Sequence, residues 1–234
     1  MYLNIIQLAE SFGVEESVVE SWVSKEGLPA IEDRSRLLFD RNQVVDWAAE
    51  RGLAAKAGFL AAGGAAKLAR LRLEPMLRAG GIWRDVPAAM VRDVMAGIVS
   101  KLPGATPPVR QLLAQRLRLP EGISWAAVGG GLALPHLRTP VALGCEAGTF
   151  AILLLRDPLP LTEPAPDDVP ITRLLFFVAP SPRAHLELLS LLSGALLRGG
   201  LQKPVVDGAG DEEIFAALIA AEANAARGKE NQST

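Results

Sequence analysis

The sequence predicts a two-domain α/β protein. A small N-terminal helical module carrying a hairpin precedes a larger sheet covered by helices on both faces. Three observations carry this reading. Charge is segmented along the chain: residues 1–52 have a net charge of −5, residues 53–78 of +4, and the remainder of −1. The first segment opens with two short helical periods separated by Gly13. Further on, two long apolar runs, GTFAILLLRD (148–157) and ITRLLFFVAP (171–180), lack the alternation of a one-sided strand. Such runs need cover on both faces.

Composition narrows the class. The chain has 234 residues, half of them hydrophobic and 21% charged, which is enough apolar material for one large or two small cores. No stretch reaches the run of about 18 uncharged apolar residues that a membrane span needs. The N-terminus carries Glu10 and no basic leader region, so no secretory signal is expected. The single cysteine, Cys145, excludes a disulfide framework and a cysteine-based zinc site, and is read as a small buried hydrophobe. A cytoplasmic protein is expected. A net charge of −2 gives no global signature of nucleic acid or of an anionic membrane.

In NIIQLAESF (4–12), Ile5, Leu8, Ala9 and Phe12 share one helical face behind an Asn4 cap, and Gly13 ends the run. A second helix over about 16–25 buries Val18, Val19 and Trp22 and stops at Gly27. Two short helices around a glycine turn outline a helix-turn-helix. LPAIEDRSRLLFD then reads as a hairpin "wing" around Glu32–Ser35, and Asp40 caps a third helix over about 41–51. The residues LAESFGVEESVVESWV, GLPAI and RLLFDRNQVVDWA resemble the excisionase/MerR-like winged helix-turn-helix modules. That resemblance implies a DNA-binding domain over 1–52, and dimers would match paired half-sites. Position by position it makes Ser17, Ser21 and Lys25 on the second helix, with Arg34 and Arg36 on the wing, the candidate DNA contacts. The same helix carries Glu15, Glu16 and Glu20, which repel phosphate, so an acidic protein-binding module is the competing reading.

Residues 53–78 form a connector of helix-prone Ala and Leu interrupted by Gly63-Gly64 and Pro75. Its basic residues, Lys67, Arg70, Arg72 and Arg78, either supplement a DNA surface or make a solvated helix face.

Beyond Gly80 the expected order is a helix of about 87–101 capped by Asp85, then a helix of about 107–117 opened by Thr106-Pro107. The glycine run of VGGGLALPHLRTP then feeds a strand ending at Pro135-His136. The two apolar strands follow, then a helix of about 182–198 and a last helix of about 212–226, leaving a polar tail over 227–234. Trp83 and Trp125 are read as packing residues, and 157–169 as an acidic, proline-rich surface loop.

The chain has two histidines, His136 just past a strand end and His185 in the first turn of a helix. Converging with Arg138, they would make a phosphate-sized site with a nucleophilic nitrogen, since neutral imidazole is nucleophilic at physiological pH. Taken alone, each also fits as an ordinary turn or helix residue. GGIWRDV, RQLLAQRL, VGGGLALPHLR, LLFFVAP and HLELLSLLSGALL, in this order over 79–226, resemble the enzyme IIA domain of the phosphoenolpyruvate phosphotransferase system, in its fructose/mannitol/nitrogen-regulatory class. The resemblance implies a mixed sheet flanked by helices and a phosphoryl-accepting domain rather than a turnover enzyme, working without metal or organic cofactor. It makes His136 the acceptor from an HPr-type carrier, His185 its site partner and Arg138 a phosphate support. Upstream of His136, where the family carries an Arg-Glu pair, this chain reads Pro120-Glu121. The combined expectation is a regulator whose DNA-binding module answers to phosphorylation. The alternatives are a phosphocarrier that hands the group to another protein and a protein-interaction module that no longer phosphorylates.

Overall fold

A computed structural model describes residues 2–33, 36–53, 71–138, 148–161, 165–180 and 182–230. The N-terminal module runs β1 (Tyr2–Asn4), α1 (Ile5–Phe12), α2 (Glu16–Lys25), β2 (Ile31–Asp33), β3 (Arg36–Asp40) and α3 (Arg41–Glu50), with an antiparallel sheet in the order β1-β3-β2. Asn4 caps α1 through a reciprocal pair: Gln7 N–H donates to Asn4 Oδ1 (2.8 Å), and Asn4 N–H to Gln7 Oε1 (3.1 Å). Gly13, at φ 65°, closes α1 in the left-handed conformation that only glycine adopts without strain. Asp40 caps α3, accepting from Asn42 N–H at 3.0 Å and Gln43 N–H at 3.3 Å. The helices pack on Leu3 and Phe39, with Phe12 meeting Trp22 edge-on at 5.3 Å and Trp47 Nε1–H donating to the Glu26 carbonyl. Two details depart from expectation. Val18 is 36% exposed while Val19 is buried, because the turn of α2 that faces the core carries Val19 and Trp22. Residues 2–4 form β1 because β3 offers them an open edge.

The second part comprises α4 (Leu73–Gly80), β4 (Ile82–Val86), a short 3₁₀ turn (Ala88–Met90), α5 (Val91–Ser100), α6 (Pro107–Arg118), β5 (Ile123–Gly129) and β6 (Leu132–Leu137). β7 (Thr149–Leu155), β8 (Arg173–Val178), α7 (Pro182–Leu197), α8 (Gln202–Asp207) and α9 (Asp211–Glu230) follow. Its sheet has the order β4-β7-β8-β6-β5, with β4/β7 and β6/β8 parallel and β7/β8 and β5/β6 antiparallel. This is the mixed, helix-flanked sheet that the sequence led us to expect.

Each face of that sheet has its own core. Ala133, Ala151, Leu153, Leu174 and Phe176 pack with α5, α6 and the N-terminal module. Leu134, Phe150, Ile152, Leu175 and Phe177 pack with α4, α7, α8 and α9. The two modules meet where α3 lies on α6: the Thr106 hydroxyl donates to Asp46 Oδ1, and Arg116 Nη2 donates to the Gly52 carbonyl at 2.8 Å. Thr106 thus spends its hydroxyl across the interface and not on capping α6.

The structure corrects several local expectations. Asp85 does not cap a helix: it lies in β4 at φ 56°, and its carboxylate accepts from Arg156 at 2.6 Å, which holds it below the usual carboxylate range. The helix begins only at Val91. Strands β4 and β5 and helix α8 are absent from the expected order, because runs this short or rich in small residues show no apolar period; β4 and β5 form by pairing with β7 and β6, and α8 by packing on α7 and α9. Residues 73–78 of the connector lie in α4, packed against β7 and α9, and α9 continues to Glu230. Residues 54–70, including Lys67 and Arg70, lie outside the described residues, as does Cys145.

Gly122 leads from α6 into β5 with no room for a side chain, since a Cβ there would sit 1.7 Å from the Arg116 carbonyl oxygen. Gly122→Ala is therefore expected to destabilise the protein by about 1–3 kcal/mol, the usual cost of overpacking, read as a lowered melting midpoint.

Candidate functional site

The side chains of β6 alternate between the two cores. Leu132 and Leu134 point to the layer containing α7, Ala133 to the opposite layer, and His136 has the parity of Leu134. His185 sits in the first turn of α7, between buried Ala184 and buried Leu188, and so approaches the sheet from that same side. The two rings meet at 5.4 Å between centroids, inclined at 65°. Phe177 of β8 also packs on His185, at 5.1 Å between ring centroids. Ser124 of β5 stands opposite His136 in the antiparallel ladder, on the same face.

His136 Nδ1 lies 3.1 Å from the Leu134 carbonyl oxygen. A carbonyl can only accept, so Nδ1–H donates, and the lone pair is left on Nε2. His185 binds its proton more weakly than an ordinary histidine, first because burial penalises the charged ring and second because of His136 beside it. Both effects favour the neutral form of His185 near neutral pH.

Arg138 follows two residues after His136. Its backbone N–H donates to the Gly122 carbonyl at 3.0 Å, which carries the β5–β6 ladder one step further. Its guanidinium lies 3.7 Å from the Glu121 carboxylate, with both side chains well exposed. The structure thus brings the two histidines together and places Arg138 at the end of the same strand. Glu121, Ser124 and Phe177 join them only through strand pairing, and the Leu134 carbonyl contributes a backbone group that no side-chain motif encodes.

The candidate nucleic-acid residues lie on the N-terminal module. Ser17 and Lys25 are exposed on α2, Ser21 is half-buried, and Arg36 is exposed on β3 opposite Asp33 of β2. Arg34 lies outside the described residues. Glu15, Glu16 and Glu20 are exposed on and beside the same helix.

At the other end of β6, a hollow of about 520 Å³ is walled by Gly130, the end of α7 and α8. The histidines do not line it. Among the described residues, no group of three or more His, Cys, Asp or Glu side chains is placed to hold a metal ion. No helix among them is long and apolar enough to cross a membrane.

No family model matches the chain, and no curated protein matches it. Among solved structures it is similar to nitrogen regulatory protein IIA-Ntr from Neisseria meningitidis, at 21% identity and a TM-score of 0.43 over 60% of this chain and 93% of that one. It is also similar to a chain described as a PTS IIA from Streptococcus mutans, at 13% identity and a TM-score of 0.44 over 65% of this chain and 96% of that one. A third, described as a PTS IIA domain from Streptococcus pyogenes M1 GAS, has 14% identity and a TM-score of 0.40 over 65% of this chain and 98% of that one.

The proton affinity of His185 gives a first test. Because the folded ring binds its proton more weakly than the unfolded one, the stability it affects is intact above pH 6.5 and is lost as pH falls through the window below. A titration followed by NMR at the ring carbon protons should place the His185 midpoint below 6.5. In His136→Ala the midpoint should rise yet stay below 6.5, since burial is the larger cause.

Proposed function

We propose that His136 accepts a phosphoryl group from an HPr-type phosphocarrier of the phosphotransferase system, and that the occupancy of this site governs a DNA-binding N-terminal module. The observation that carries the acceptor role is the histidine pair itself: rings 5.4 Å apart on one sheet face, with Nδ1 of His136 committed to the Leu134 carbonyl. The Nε2 lone pair attacks phosphorus while the bond from phosphorus to the carrier's histidine nitrogen breaks, and that nitrogen leaves with the electron pair. One N–P bond replaces another, so the chemistry is near balance, and the protein's task is positioning and charge stabilisation. As the His136 ring gains positive charge, its Nδ1–H bond to the Leu134 carbonyl strengthens. His185, neutral and in the first turn of α7, offers a ring N–H to the phosphoryl oxygens, and the helix start favours the anion. Arg138 supplies the cation.

The incoming group adds about −1.5 to −2 of charge. The N-terminal module is attached through α3 on α6, and α6 leads directly into β5, the neighbour of the phosphoryl-bearing strand. In this reading Ser17, Ser21, Lys25, Arg34 and Arg36 face DNA. The exposed carboxylates of α2 favour a second reading, in which the module docks on a basic protein surface.

Intact-protein mass spectrometry at neutral pH, after incubation with phosphoenolpyruvate, enzyme I and HPr-type carriers, should show one added phosphate on the native chain. The His136→Ala variant should take none, and His185→Ala should take it more slowly by about tenfold to a hundredfold, the loss of one hydrogen bond to a charged group. Phosphate on His136→Ala would remove the acceptor assignment. For the N-terminal module, gel shifts against genomic fragments should show specific binding that weakens steeply as salt rises. Absence of binding at low salt would favour the protein-docking reading.

A further inference from the structure

Arg138 is placed by a backbone clamp and held by a weak side-chain contact. The corner before β5 is fixed on both sides: Arg92 donates to the carbonyls of Leu119 (2.6 Å) and Pro120 (3.0 Å), and Gly122 N–H donates to the Leu119 carbonyl at 3.1 Å. The Arg138 N–H then ties the end of β6 to Gly122. Glu121 therefore stands on a fixed corner beside the strand end that follows His136. By contrast, its contact with Arg138 is 3.7 Å long, and the two side chains are 86% and 60% exposed. Exposed pairs of this kind contribute little to stability and exchange partners cheaply.

We propose that Glu121 is the resting partner of Arg138 and competes with the incoming phosphoryl group for its guanidinium. It holds the Arg138 guanidinium beside His136 in the unphosphorylated protein and surrenders it to the phosphoryl oxygens once the Nε2–P bond forms. The inference rests on the acceptor role of His136. Arg138 lies one residue past the end of β6 and two after His136, and its N–H bond to the Gly122 carbonyl keeps its backbone beside that end of the strand. A phosphoryl group offers up to two charges and three acceptor oxygens, against one charge and two oxygens on a carboxylate, so it wins the competition for a planar guanidinium. The exchange needs no proton transfer: phosphorus passes from the donor nitrogen to Nε2, the donor nitrogen keeps the bonding pair, and the Glu121 carboxylate becomes hydrated. The fork of Arg138 suits this better than lysine would, since it can bind two phosphoryl oxygens at once.

The test is phosphate uptake by the full chain from phosphoramidate, whose ammonia departs as the N–P bond forms, followed by intact mass at neutral pH. Arg138→Ala should slow uptake by about tenfold, the effect of one lost charge-assisted hydrogen bond. Arg138→Lys should recover part of the rate. Glu121→Gln should speed uptake by about twofold to threefold, in line with the small strength of an exposed pair. The charge swap Glu121→Arg with Arg138→Glu preserves an ion pair but moves the cation, and should remain slow. Melting midpoints close to that of the native chain would show that each variant is folded. Full recovery in the swap would make the pair merely structural and overturn the proposal. So would an unchanged rate in Arg138→Ala, or a Glu121→Gln variant as slow as Arg138→Ala. A native chain that takes no phosphate from any donor overturns the acceptor role itself, and this proposal with it.

Discussion

Everything in the C-terminal part depends on the fact that β7 and β8 have no face that water can touch. Every side chain from Thr149 to Leu155 is buried, as is every one from Leu174 to Val178. Such a pair of strands must be covered twice, so the helices divide into two layers. Parity along each strand then decides which core a residue joins. β6 lies against β8 and inherits that parity. A slip of one residue would turn His136 away from α7 and into the layer that contains α6.

The histidine site lies at the rim of this construction, where the sheet still fixes geometry but burial is incomplete. His185 is desolvated enough to resist protonation, and His136 keeps one nitrogen occupied by its own strand. Arg138 and Glu121 lie in water just beyond, with pinned backbones and free side chains. Under the proposed function, this gradient from dry to wet across a few residues would let the site expose a nucleophile and later hold a dianion. The N-terminal module is attached on the opposite face of the sheet, through α3 and α6. Any signal between the two therefore passes through the sheet or along the α6–β5 connection.

Elements whose cause is local were legible in the sequence. The bounds of α1 and the start of α3 follow from Asn4, Gly13 and Asp40, each of which acts within a few residues of its own position. The burial of β7 and β8 was legible too, because an unbroken apolar run has no other stable outcome. β4 and β5 were not, since IWRDV and ISWAAVG become strands only because β7 and β6 present free ladder positions to them. Asp85 misled for the same reason: a residue that looks like a helix cap was taken by Arg156, far away in sequence, as an ion-pair partner.

For the site, the sequence supplied the candidates: two histidines in a chain of 234 residues, one near the end of a short apolar strand and one opening a helix, with an arginine two residues beyond the first. Only the tertiary structure decided that they share a face, that the rings lie 5.4 Å apart and that Nε2 is the nitrogen left available. It also decided that the carboxylate nearest the arginine's guanidinium is that of Glu121, 3.7 Å away. The reason is physical. Residue type and local spacing fix what a side chain can do and which element it belongs to, whereas proximity across distant segments is set by strand register and helix packing. Those depend on how the two cores are filled together.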